Sequence, residues 1–201
     1  MGRGTPPERR RVRAFVSAES ILGVSAGNPF VETERLLLRQ PRADDFADYF
    51  ALVGDPDAFR YCGRGAMTRE EAWSRLLRQV GHWSLLGYGL FAVAEKASGR
   101  FVGEVGLGDF HRGFGPRFDD APEACWTIAR RSQGRGYATE AAAAAHDWME
   151  RRFGTERTVC LIQGDNAPSL AVAHKLGYRP VGARHYRGYC AIVHERAQPP
   201  G

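Results

Sequence analysis

The chain has 201 residues, 43% hydrophobic and 25% charged, proportions close to globular averages that exclude a disordered, fibrous or membrane-embedded protein. Its net charge of +5 is mostly local: Arg3, Arg9, Arg10, Arg11 and Arg13 against Glu8 and Glu19 supply three of those five charges, so the basic character belongs to a tail. Residues 1–29 therefore read as a flexible basic extension, residues 30–201 as one domain, and nucleic acid is not an expected partner.

After the tail, residues 33–40 predict a strand that Pro41 ends, and Asp44-Asp45 opens a helix carrying Phe46, Tyr49, Phe50 and Val53. Thr68 and Glu71 form a capping box for a second helix, whose Trp73, Leu76, Leu77, Val80 and Trp83 recur at helical spacing and read as core. The period then changes. Residues 89–95 and 101–107 are short apolar runs joined by Lys96-Ala97-Ser98-Gly99-Arg100, a hairpin signal, and residues 109–122 read as a loop. Residues 123–129 predict a strand, and a strong helix with five consecutive alanines runs to Phe153, where Gly154 stops it. A strand over 157–163, a helix over 167–176 and two closing strands over 181–187 and 190–194 complete a mixed α+β pattern.

Few other features carry chemistry. Cys62, Cys125, Cys160 and Cys190 form no close pair, which argues against a zinc knuckle or disulfide framework; each reads as a small core residue in a reducing cytoplasm. The histidines lack metal-ligand spacing, so no metal is expected. No apolar run approaches the roughly 20 residues of a transmembrane helix, which predicts a soluble protein with no membrane partner.

The informative segment is Gln133-Gly134-Arg135-Gly136-Tyr137-Ala138, between a strand and the first turn of the alanine helix. Backbone N–H groups at such a helix start are unpaired and form an anion site, and glycine lets a diphosphate approach the backbone closely. Arg130, Arg131 and Arg135 add positive charge around it. The segment departs from the dinucleotide G-x-G-x-x-G pattern at its third small position, and no G-x-x-x-x-G-K-[ST] occurs.

A second motif follows at Asn166, Ser169, Lys175, Gly177 and Tyr178. Together the two motifs resemble the GNAT superfamily of N-acetyltransferases, whose acyl-CoA loop Q/R-x-x-G-x-G/A is matched at Gln133, Gly136 and Ala138. Thr33-Glu34-Arg35-Leu36, Gly103-Glu104-Val105-Gly106-Leu107 and Thr139-Glu140-Ala141 are similar to the ribosomal-protein N-terminal alanine acetyltransferase branch. The resemblance implies a GNAT fold: a mixed, mostly antiparallel sheet of six to seven strands, splayed at the acyl-CoA site and flanked by about four helices. It implies acetyl-CoA as co-substrate, held by the amides from Gly134 to Ala138, by free backbone near Ile128 and Arg130, and by Asn166 and Ser169 at the thiol end. Lys175 either reaches a phosphate or offsets the helix dipole.

Acetyl transfer needs a base for the amine and an acid for the departing thiolate. Glu123, at the start of the cofactor strand, is the candidate base, with Glu104 as second choice; Ser169 is the candidate acid, because the family's usual tyrosine position is Ala173. The expected acceptor is a small-molecule amine or a protein N-terminus. A non-catalytic acyl-CoA-binding regulatory module is the alternative, and both monomer and homodimer fit. Asp109, Asp119 and Asp120 are candidates to attract a cationic acceptor.

Overall fold

The computed structural model describes residues 31–61 and 65–197; the basic tail and Cys62 lie outside them. The described strands are β1 (Val31–Glu32), β2 (Leu36–Arg39), β3 (Leu90–Glu95), β4 (Phe101–Gly108), β5 (Glu123–Ile128), β6 (Arg157–Gln163), β7 (Arg179–Tyr186) and β8 (Tyr189–Ala197). The helices are α1 (Phe46–Val53), α2 (Pro56–Phe59), α3 (Arg69–Leu86), α4 (Pro116–Asp119), α5 (Tyr137–Phe153) and α6 (Ala167–Lys175). The strands form one open sheet in the order β1-β2-β3-β4-β5-β6-β8-β7, antiparallel except for β5 beside β6.

This is eight strands and six helices where six to seven and about four were expected. The strand predicted over residues 33–40 starts only at Leu36, because Thr33 makes a tight turn, its Oγ1 accepting the Leu36 N–H at 2.9 Å, and the two-residue β1 before that turn was not predicted. The two extra helices, α2 and α4, are single turns that open on Pro56 and Pro116, too short to show a period.

The two larger apolar cores lie on opposite faces of the sheet, and a smaller one joins Phe118 and Ala121 to Val159 and Val193. On one face Tyr137, Ala141, Ala142, Ala145 and Met149 of α5 pack on Phe91, Val93, Val105 and Ile128; on the other, Tyr49, Leu52 and Val53 of α1 and Ala72 and Leu76 of α3 cover Ala92 and Phe101. The alanines let α5 sit close to the strands. On α3 the buried stripe is Ala72, Leu76, Gln79 and Trp83. Trp73, Leu77 and Val80, expected in the core, are exposed, and Trp73 stacks edge-on with Phe46 at 5.0 Å. Cys160 is buried as anticipated, whereas Cys190 is exposed and Cys125 half-buried.

Three side chains pin α5 to the sheet from below. Burial pushes the His146 imidazole down to about 4 and keeps it neutral, so its Nδ1–H donates to the Ala142 carbonyl at 2.6 Å while Nε2 accepts from the Tyr178 hydroxyl at 2.8 Å. Thr158 Oγ1 on β6 closes the chain at 2.6 Å from the same hydroxyl. The helix, β6 and Tyr178, just ahead of β7, are thereby held as one unit. Among the described residues, no helix is long and apolar enough to cross a membrane.

Candidate active site

The site begins where the sheet comes apart. β4 and β5 pair along six residues, but β5 and β6 share the single register pair Glu123 opposite Val159, supported by the Val159 N–H on the Pro122 carbonyl at 3.0 Å. Beyond that point the two parallel strands diverge. The resulting cleft has a volume of about 1050 Å³ and runs from the N-terminus of α5, past β5 and α6, to the turn between β7 and β8.

At one end lies the cradle. Gly134 and Gly136 have φ of 75° and 80°, the left-handed region in which a Cβ is strained, and Gly136 is the residue that turns the chain into α5. No side chain caps this helix start, and among the described residues the amides of Gly134 through Thr139 donate to no protein acceptor; the first helical bond back to the loop is Glu140 N–H to Gly136 O at 3.1 Å. Gln133, Gly134, Gly136, Tyr137, Ala138 and Thr139 all line the cleft. A row of unpaired amides at the positive end of a 17-residue helix suits the diphosphate of acetyl-CoA, so the residues present fit that group.

The arginines separate. Arg130 lines the cleft and pairs with Asp57 at 2.6 Å. Arg131 does not come to the cleft; its guanidinium donates to the Phe101 carbonyl at 2.9 Å on the α1 side. Arg135 also turns away, forming an ion pair with Glu95 at 2.8 Å and lying 4.7 Å from the Tyr137 ring centroid. Gln133 uses its side chain to hold the Ile128 carbonyl at 3.0 Å, so that strand-end oxygen is already engaged and Ile128 itself packs in the core.

A brace behind the cradle went unread in the sequence. Glu140 accepts Thr33 Oγ1 at 2.5 Å, the Arg35 amide at 3.1 Å and Arg35 Nε at 2.7 Å, while the Tyr137 hydroxyl donates to Glu95 at 2.5 Å. The Arg35 guanidinium covers one side of Tyr137 at 4.9 Å. The early Thr-Glu-Arg-Leu segment and the later Thr-Glu-Ala segment, separate motifs along the chain, are therefore two sides of one contact. It fixes the first turn of α5 relative to β2 and β3.

In the middle of the cleft, Asn166 caps α6 by accepting the Ser169 N–H at 3.2 Å, and Ser169 Oγ accepts the Trp126 indole N–H at 3.3 Å. Asn166, Ser169 and Lys175 all line the cleft. Ala173 does not; it is fully buried in the core beneath α6.

At the far end stand two buried carboxylate–arginine pairs. Arg112, from the β4–β5 loop, grips Glu123 with Nε at 2.5 Å and Nη2 at 2.7 Å, and its Nη1 donates to the Tyr186 hydroxyl at 2.6 Å. Burial pushes the Glu123 carboxyl up, against the pull of Arg112, while Arg112 itself is held firmly protonated by the carboxylate despite its burial. Glu104 pairs with Arg75 at 2.6 Å and accepts Gln79 at 2.6 Å, and both donors also reach the Tyr49 hydroxyl. His82 is stitched on both nitrogens: Nδ1–H donates to the Tyr88 carbonyl at 2.7 Å and Nε2 accepts the Asp109 N–H at 2.9 Å. Asp119 serves the loop instead of the cleft, accepting the Gly113 and Gly115 amides at 3.2 and 2.8 Å. Neither Arg112 nor Arg75 carried a sequence signal, since each is one arginine among many with its partner brought in by the sheet.

The comparisons with known proteins agree with this architecture. Residues 35–179 match the family model described as the acetyltransferase (GNAT) domain. The protein YkkB of Bacillus subtilis (strain 168) is 32% identical over 153 residues, covering 72% of this chain and 82% of that one. A solved GnaT-family acetyltransferase from Bordetella pertussis superposes with a TM-score of 0.74 at 35% identity, covering 83% of this chain and 98% of its own. RimL, a ribosomal alpha-N-protein acetyltransferase solved in complex with coenzyme A, shares the fold at a TM-score of 0.67 and 16% identity, covering 83% of this chain and 96% of its own. A sheet that parts beside an uncapped, glycine-led helix start stands within the matched residues, and the chain belongs to the GNAT acetyltransferase family.

Proposed function

We propose that this acetyltransferase moves the acetyl group of acetyl-CoA directly to a primary amine, either on a small molecule or at a protein N-terminus. The observation that carries the reading is the row of unpaired amides from Gly134 to Thr139, set beside the parting of β5 and β6. Those amides bind the diphosphate, and Arg130 and Lys175, both on the cleft wall, add positive charge at that end. The pantetheine arm lies along the free edge of β5, which brings the thioester toward Trp126 and Ser169.

In the reaction, the amine nitrogen forms a C–N bond with the acetyl carbon and the C–S bond breaks. Glu123 receives the amine proton through water at Oε2: Oε1 already holds Arg112 Nη2 and the Cys125 thiol at 3.7 Å, whereas Oε2 holds one donor, Arg112 Nε, and a carboxylate oxygen has room for a second. The Ser169 hydroxyl passes its proton to the departing sulfur and regains one through water from the proton that Glu123 took, so the net products are the amide and the free thiol. Even raised by burial, a carboxyl stays a weaker base than an amine, so it suits an α-amine of pKa about 8 better than an alkyl amine near 10. The reduced thiols of Cys125, Cys160 and Cys190 fit a cytoplasmic enzyme.

Glu123→Gln tests this reading. The expected result is a fall in kcat of about 100-fold with acetyl-CoA affinity changed by less than about threefold. Because the substitution also unpairs Arg112, the pH–rate profile is measured with it. Burial raises the Glu123 carboxyl, and the active form is deprotonated, so wild-type activity falls on the acid side at a pH above the ordinary carboxylate range. That limb disappears in E123Q. An unchanged kcat, or an acid limb that persists, removes Glu123 from the chemistry; tight acetyl-CoA binding with no turnover of any amine favours a binding module.

A further inference from the structure

Beyond the cradle the cleft is walled by arginines from separate elements: Arg60 after α2, beside Asp57 and Arg130, Arg75 and Arg78 on α3, Arg112 in the β4–β5 loop and Arg187 at the β7–β8 turn. The carboxylates on the same wall are Asp57, Asp109 and Glu123, and each is already engaged. Asp57 holds Arg60 at 2.7 Å and Arg130 at 2.6 Å, and Glu123 holds Arg112 through both oxygens. Asp109 accepts the His111 amide at 3.4 Å and lies 3.4 Å from the same residue's imidazole. A polycationic acceptor entering here meets arginine and finds no carboxylate without a partner.

Arg187 is placed differently from the other four. Its guanidinium lies over the Tyr186 ring at 5.0 Å, and among the described residues it makes no ion pair with a carboxylate. It sits at φ 50°, followed by Gly188 at φ 87°, the two-residue turn with both central residues left-handed that joins β7 to β8. Arginine in that conformation costs about 1 kcal/mol or more that asparagine or glycine would largely avoid. The strained position carries the side chain to the cleft beside Tyr186, whose hydroxyl Arg112 already holds.

We infer that the acceptor is a primary amine that also bears an oxyanion, a carboxylate or a phosphate, and that Arg187 engages this group at the acceptor end of the cleft. The inference rests on the acetyltransferase reading above.

The test uses the full chain with acetyl-CoA, thiol release as the readout, and acceptor pairs matched except for the oxyanion: amino acids against their carboxamides, an aminoalkyl phosphate against the amino alcohol, and spermidine as the polycation. The expected result is kcat/KM about tenfold or more higher for the oxyanion member of at least one pair, the loss expected when a charged hydrogen bond is missing. Which pair responds tells carboxylate from phosphate. Arg187→Asn, which keeps a residue tolerant of the left-handed turn, brings that ratio to within about threefold, mainly through KM. Equal or better turnover of the neutral amines or spermidine, or a ratio that R187N leaves alone, overturns the inference while leaving the acetyltransferase reading in place. No turnover of any amine despite acetyl-CoA binding overturns that reading and this inference with it.

Discussion

The two ends of the cleft are built from different material. At the end proposed for the cofactor the groups on offer are main-chain amides, presented by two left-handed glycines and one helix start within residues 133–139. At the acceptor end they are side chains: Glu123 meets Arg112 across 11 residues of sequence, Gln79 meets Glu104 across 25, and Arg112 meets Tyr186 across 74. The first end is made by local conformation and suits one invariant ligand. The second is made by long-range packing, so its charge depends on which side chains the sheet brings together.

The largest effect that would break this contrast is at Gly136. In Gly136→Val the new side chain must adopt φ near 80°, a conformation a β-branched residue strongly resists, so the loop shifts and the amides lose their common aim. We expect acetyl-CoA affinity to fall on the order of 100-fold by calorimetry, with the urea midpoint much less affected. Normal binding by G136V would mean that the cradle does not depend on main-chain geometry.

A smaller effect sharpens the contrast by testing what holds the cradle helix. Tyr178→Phe removes one hydroxyl and leaves His146 Nε2 and Thr158 Oγ1 without their shared partner. Urea unfolding should show a loss of about 2 kcal/mol, with kcat little changed because the hydroxyl lies beneath the helix and away from the cleft. A large fall in kcat at unchanged stability would give this buried chain a role in the chemistry.

The smallest effect concerns the brace at Glu95. Hydrogen bonds from Ser98 and Tyr137, with Arg135 alongside, hold this carboxyl down to about 2. A carboxylate whose folded pKa is depressed adds stability above its unfolded range and loses it as the pH drops through the folded value. Glu95→Gln should therefore lower the Tm modestly at neutral pH, and the gap between variant and wild type should close as the pH falls from about 4.5 toward about 2. A gap that is independent of pH would show that the brace acts through packing and not through charge.

Much of the fold was legible from the order of its periods. The Thr68 capping box, the hairpin at 95–101 and the alanine helix ending at Gly154 all stand where local propensity puts them. The cradle was legible for the same reason, since glycine before a helix is a local signal. What escaped was whatever depends on which residues the sheet brings together. Trp73 looked like core by spacing, yet α3 turns a different stripe inward, and Arg131 and Arg135 looked like phosphate ligands until their true partners, Phe101 and Glu95, arrived from other strands. Arg112 stood in a segment read only as a loop, and nothing in its neighbours along the chain announces Glu123 or Tyr186.

One pair of residues joins the two halves of the sheet across its middle, Glu123 with Val159. Within the sheet the two halves are therefore hydrogen-bonded at one point, and what else joins them is α5 packed across both and the Arg112 strut to Glu123 and Tyr186 spanning the seam. A molecule laid into the notch, bonding to the free edge of β5, substitutes for the missing strand-to-strand rungs. On the binding mode proposed above, rigidity of the two halves relative to each other would be shared between polypeptide and coenzyme, and resistance to unfolding should climb with acetyl-CoA concentration by mass action.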